Sequence, residues 1–155
     1  MQRHHLLPVQ MLGRSGFSAM FGALDRERLA FDDFRSNGLL LPASEEGALV
    51  LGLPLHRGPH RAYNDMAIER MGQIEADWAK ARPSGPELAC MHASFRIGLL
   101  QAALRRRLLA PGGRPLRLNR NDPLGARVDF TALDAMAGEL WNSTGVADRF
   151  AMDAV

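Results

Sequence analysis

Between Gly58-Pro59 and the run Arg-Pro-Ser-Gly-Pro at 82–86, the chain places Tyr63, Ala67, Met71, Ile74 and Trp78 at intervals of four, four, three and four residues. That spacing returns to one face of a 3.6-residue helix, so it predicts an amphipathic helix from His60 to Ala81 that must bury this stripe against other elements. Pro59 suits the first helical position, where its missing N–H costs nothing. The Pro and Gly residues at 82–86 end the helix and make the best candidate for an internal linker.

The rest of the chain reads around this helix. Phe17, Met20, Phe21 and Leu24 have helical spacing, and Asp32–Gly38 follows with an Asn-Gly pair that marks a tight turn. The apolar run at 39–41, stopped by Pro42, reads as a short strand. Ser44-Glu45-Glu46 opens a short helical piece that Gly52 and Pro54 close. After the linker, residues 87–109 predict a long helix with Leu88, Met91, Phe95, Leu99 and Ala102 on one face. Residues 115–119 and 126–130 are expected to pair as a hairpin around 121–125. Thr131 with Asp134 resembles an N-terminal cap for a last helix carrying Leu133, Met136, Ala137, Leu140 and Trp141. The expectation is a helix-rich α+β chain with one small β element, around residues 3–8 and 38–42. Trp78 and Trp141 are core candidates.

Composition narrows the function classes. No apolar run approaches the ~18 residues of a membrane helix, and the start, MQRHHLLPVQ, lacks the apolar core of a secretory leader. The expected location is therefore the cytoplasm, or a target cell reached by a specialised secretion route. The single cysteine, Cys90, excludes an internal disulfide and a cysteine-rich zinc site, and reads as a small buried hydrophobe. The net charge is only +2, but 18 of the 19 basic residues are arginine. Arginine holds phosphate bidentately, although a GC-rich coding sequence produces the same bias.

Four of the five histidines fall in two clusters, His4-His5 and the His56/His60 pair of HRGPH. A neutral imidazole is the commonest side-chain ligand for borderline divalent metals. Gly58-Pro59 puts His56 on a turn and His60 in the first helical turn, positions that can converge on one ion. The metalloprotease pattern H-E-x-x-H is excluded, because Arg57 stands where its Glu would be. Adjacent histidines on an extended strand point to opposite faces, which suits a division of labour. One ring binds the ion, and the other faces the substrate as a base, an imidazole of ordinary pKa (~6.5) accepting a proton near neutrality.

Three motifs together, H-H-x-x-P at 4–8, S-N-G-x-x-L-P at 36–42 and H-R-G-P-H-x-x-Y-N at 56–64, resemble the AHH group of HNH-type nucleases. The resemblance spans roughly residues 3–80. It implies a ββα-metal (His-Me) finger within a single helix-rich domain that has additional C-terminal helices. It also implies that His4, His56 and His60 bind the metal, that His5 is the general base, and that Asn37 pins the loop facing the base and helps orient its imidazole. Tyr63 and Asn64 match as well, with Tyr63 packing under the finger. The one cofactor implied is a divalent ion: Mg, Mn, Ni or Zn. Arg57 and Arg61 flank the second pair and are candidates to clamp neighbouring phosphates. Arg3 stands where the group has the alanine of its name, and His4 is only the fourth residue, where a frayed strand would loosen ligand and base together.

The expected organisation is a nuclease domain over 1–82 and a helical extension over 87–155 packed on it. The expected activity is endonucleolytic hydrolysis of DNA, with RNA as the other substrate, through contacts mostly to the backbone and little sequence preference. A bacterial toxin or effector setting is one expectation, and it would imply a cognate immunity protein. The alternative is a catalytically inactive finger that binds nucleic acid or a protein partner. His92 matches no motif, and Arg105-Arg106-Arg107 reads as a solvated helix end or an extension of a DNA-facing surface.

Overall fold

A computed structural model describes residues 1–24, 29, 31–110, 116–124 and 131–143 of the chain, excluding the side chains of residues 132, 133 and 141–143. Within it, β1 (Gln2–His5) leads into a 3₁₀ turn (Val9–Gly13) and α1 (Ser15–Ala23). The single helical turn α2 (Phe34–Asn37) feeds directly into β2 (Gly38–Leu41). The remaining elements are α3 (Glu45–Leu51), α4 (Arg61–Ala81), α5 (Pro86–Leu109) and α6 (Thr131–Ser143). The architecture is helix-rich α+β, with a single two-stranded antiparallel sheet among the described residues. Its register pairs Gln2 with Leu41, Arg3 with Leu40, His4 with Leu39 and His5 with Gly38.

The stripe on α4 is buried as its spacing requires: Tyr63, Ala67, Met71, Ile74 and Trp78 all face the core, joined by Met66. His60, not Pro59, caps the helix, which starts at Arg61. Pro59 instead rigidifies the turn after Gly58, whose φ of 84° is a left-handed conformation that glycine adopts without steric cost. The Ser44 hydroxyl accepts a bond from the Gly47 amide at the start of α3, and Gly52 (φ 62°) closes that helix. Residues 82–85 form the turn from α4 into α5, and one hydrophobic cluster continues from Leu6 and Leu7 through both helices to Leu116 and Leu118.

Two expectations fail for physical reasons. The face of α5 that turns inward is Ala89, Ala93, Ile97, Leu100, Ala103 and Leu104. Leu88 and Met91, predicted to be core, are exposed, and Ala102 is exposed with them. Apolar residues occur on more than one side of α5, so their spacing alone does not select the buried face, and packing in the fold does. The Asn-Gly pair is also not a tight turn. Gly38 has an ordinary extended backbone (φ −131°), and its role is proximity, since a Cβ built there would lie 2.1 Å from the Phe34 ring.

β1 is held firmly in the fold. It is paired along its whole length, and His4 is 1% exposed, so the strand that carries the first histidine pair is seated in the sheet. Arg3, in place of alanine, lies on the outer face with its guanidinium 4.3 Å from the Phe34 ring centroid, where a long cation is tolerated. Residues 116–119 are not a strand, and the expected partner at 126–130, like the side chains of Leu133 and Trp141, lies outside the described residues. Thr131 is the first residue of α6. Asp134 is used elsewhere, accepting two hydrogen bonds from Arg70 of α4 at 2.9 and 2.5 Å.

Candidate metal centre

Alternation along β1 sends His4 inward and His5 to the opposite face. The His4 ring meets His56 and His60 with centroids 4.9 and 5.2 Å away, and those two rings are 5.1 Å apart. One nitrogen from each of the three lies within 4.8 Å of the others. His56 is placed by a bond from its backbone N–H to the Pro42 carbonyl at 2.9 Å, which ties the HRGPH loop to the end of β2. His60 is placed by starting α4. Beneath them, Tyr63 stacks edge-on to His4 at 4.8 Å and donates its hydroxyl proton to the Leu6 carbonyl at 2.7 Å. Its burial holds the phenol well above the usual range, so Tyr63 packs and anchors and does not ionise.

Several polar atoms of this cluster have no partner within the protein. Both ring nitrogens of His4 and Nδ1 of His56 are buried without a hydrogen-bond partner, a costly state for imidazoles within a packed core. His56 Nε2 and His60 Nε2 face each other at 3.2 Å. On the far side of His60, Nδ1 lies 3.0 Å from Asn64 Oδ1. Because an amide oxygen only accepts, this contact fixes the proton on Nδ1 and leaves the Nε2 lone pair directed into the cluster. Burial, with the neighbouring His56 and His60, pushes the His4 pKa down to about 3, and burial lowers that of His56. Three imidazoles, each with a ring nitrogen within 4.8 Å of the others, are a donor set for a borderline divalent ion, so the residues fit a metal.

Asn64 is the supporting residue that sequence reasoning left without a role, although its i+4 spacing from His60 on a helix carries the signal. Asn64→Ala is expected to weaken divalent-metal affinity about 10–100-fold with α4 intact by circular dichroism. Unchanged affinity would remove its orienting role.

The remaining candidates fall in different places. The half-buried His5 ring lies edge-on to Phe34, with centroids 6.2 Å apart. Asn37 is fully buried, and its amide is spent on backbone. Oδ1 accepts from Leu7 N–H at 2.8 Å, while Nδ2 donates to the carbonyls of Leu7 (2.9 Å) and Phe31 (3.2 Å). The Asn37 carbonyl accepts from Leu6 N–H at 2.9 Å, so this residue locks the chain immediately after His5. Two residues of α5 support it from outside the motifs. Gln101 donates to Asn37 Oδ1 at 3.4 Å, and Arg105 donates to the carbonyls of Arg35 and Ser36 at 2.6 and 3.2 Å. Arg105 is therefore a clamp on the turn that carries Asn37, not part of a solvated helix end. Arg57 and Arg61 are both exposed beside the second histidine pair. His92 is half-buried on α5 and lines a separate cavity of about 420 Å³ with Arg70 and Arg96.

A sequence model of the AHH family, described as a nuclease family of the HNH/ENDO VII superfamily with conserved AHH, matches residues 1–89. Comparison with curated proteins and with solved structures finds no match. Among the described residues, no helix is long and apolar enough to cross a membrane.

Proposed function

The chain belongs to the AHH family of HNH/ENDO VII superfamily nucleases, and on that premise we propose that it is a metal-dependent endonuclease that hydrolyses phosphodiester bonds in DNA with little sequence preference. The single observation that carries the reading is the convergence of His4, His56 and His60, with buried, unpartnered ring nitrogens on His4 and His56, one residue from His5. In this reading β1, β2 and the start of α4 form a ββα-metal finger, and the three histidines hold one divalent ion. When bound, such an ion polarises a phosphate oxygen and offsets the negative charge that grows on the leaving 3′ oxygen.

The other steps fall to this chain's own residues. His5 accepts the proton of the attacking water at an imidazole nitrogen. Phe34 backs its ring, and Asn37 holds the backbone that follows it, so the base is positioned before substrate arrives. Arg57 and Arg61 are placed to take the phosphates flanking the cut. Bacterial toxin or effector action fits a compact, weakly specific nuclease, and a cognate immunity protein would accompany it.

The test is incubation of the purified protein with supercoiled plasmid and Mg²⁺, Mn²⁺, Ni²⁺ or Zn²⁺, with and without EDTA. Nicking that depends on at least one of these ions and stops with EDTA is expected. Tight binding of DNA with no nicking in any of them would favour a catalytically inactive binding module instead.

A further inference from the structure

The loop that carries the second histidine pair has a second wall, built by chain beyond the family-matched residues. Leu116 and Leu118 are 2% and 0% exposed, so the segment 116–124 is anchored in the core. Its hydrophilic stretch is rigidified by its own bonds. Asn119 Oδ1 accepts from Asn121 N–H at 2.8 Å, the Asn119 carbonyl accepts from Arg117 Nε at 3.0 Å, and Arg117 also donates to the Arg120 carbonyl. Asp122 is buried beside the backbone amide of Leu55, the residue before His56. The two walls meet at Gly58, where a Cβ would lie in ordinary contact with Asn119 Nδ2, 3.8 Å away.

Between them lies a groove of about 670 Å³, lined by Glu45, Leu55, Arg57, Asn119, Arg120 and Asn121 together with the Gly58-Pro59 turn. Its chemistry is that of backbone recognition. Among the described residues its lining supplies two guanidiniums, one carboxylate and two side-chain amides, and no aromatic ring on which a base could stack. The groove is lined by Arg57, Gly58 and Pro59, the residues that separate His56 from His60 in the chain.

We propose that this groove is a second phosphate subsite for DNA, in which Arg120 and Arg57 hold a backbone phosphate adjacent to the one cut, with Asn119 and Asn121 donating to its oxygens. This rests on the reading of the site as a DNA nuclease. It also gives residues 116–124, outside the family match, a role in substrate affinity.

The experiment is fluorescence anisotropy of a short fluorescein-labelled DNA duplex with the full chain in EDTA, across a series of salt concentrations. Wild type is expected to bind with salt-dependent affinity. Arg120→Ala should bind about tenfold more weakly, with the slope of log affinity against log salt shallower by about 0.9. Glu45→Gln removes the one carboxylate that the described residues place in the groove and should bind about two- to threefold more tightly, a gain that misfolding does not produce. Wild type that does not bind the duplex, or Arg120→Ala with wild-type affinity and slope, would overturn the subsite. Because binding is read without metal, a chain that behaves as expected here yet never nicks plasmid contradicts the nuclease reading alone. A chain that nicks plasmid while Arg120→Ala binds like wild type contradicts the subsite alone.

Discussion

His5→Ala is expected to nick plasmid DNA about 10²–10⁴-fold more slowly than wild type, the range spanned by removal of a general base, while binding one divalent ion as wild type does. The two readouts separate because strand alternation separates the rings. His4 points into the cluster with His56 and His60, and His5 points to the other face against Phe34. Truncating His5 therefore leaves the other three histidines and the Tyr63 anchor in place. Partial recovery of the rate with added imidazole would tie the loss to proton transfer. A His5→Ala protein that nicks at the wild-type rate would eliminate this residue as the base, whatever the metal content.

Asn37→Ala is expected to be the most damaging single truncation for stability among the site residues. It leaves the Leu7 N–H and carbonyl and the Phe31 carbonyl without their side-chain partner, at about 1–3 kcal/mol for each buried group left unpaired. A loss of roughly 3–5 kcal/mol corresponds to a fall in Tm on the order of 10 °C for a chain of this size, measurable by thermal denaturation. Asn37→Asp separates hydrogen bonding from shape. Its carboxylate would face two carbonyls, so the folded state favours the protonated acid and raises its pKa above the unfolded value. That variant should then lie closest to wild type in stability at acid pH and fall further below it as pH rises through the folded pKa. Asn37→Ala melting within a degree or two of wild type would show that the amide is not what holds the loop.

Much of this structure could be read in the chain, for reasons that are local. Residues 63–78 carry a complete helical period, Ser44 and Gly52 carry cap chemistry, and the run at 39–41 is bounded by Gly38 and Pro42, so each element is specified by its own neighbours. The AHH-type spacing then gathered His4, His56 and His60, which the structure brings within 4.8 Å. What could not be read depends on tertiary proximity. Apolar residues fall on more than one side of α5, and packing in the fold selects Ala89, Ala93, Ile97, Leu100 and Leu104 over Leu88 and Met91. Arg105 looks like surface charge in the run 105–107, yet it closes carbonyls 69 and 70 residues away in the sequence. Asn119 to Asn121 meet the histidine loop only because Leu116 and Leu118 are buried under it.

Calorimetric titration of the metal-stripped protein with Ni²⁺, Zn²⁺ or Mn²⁺ tests the central claim most directly, with His4→Ala, His56→Ala and His60→Ala as comparisons. The account predicts one ion per wild-type chain, and a large loss of affinity in each of the three variants. Wild type that takes up none of these ions, or any of the three variants binding one ion with wild-type affinity, would contradict it.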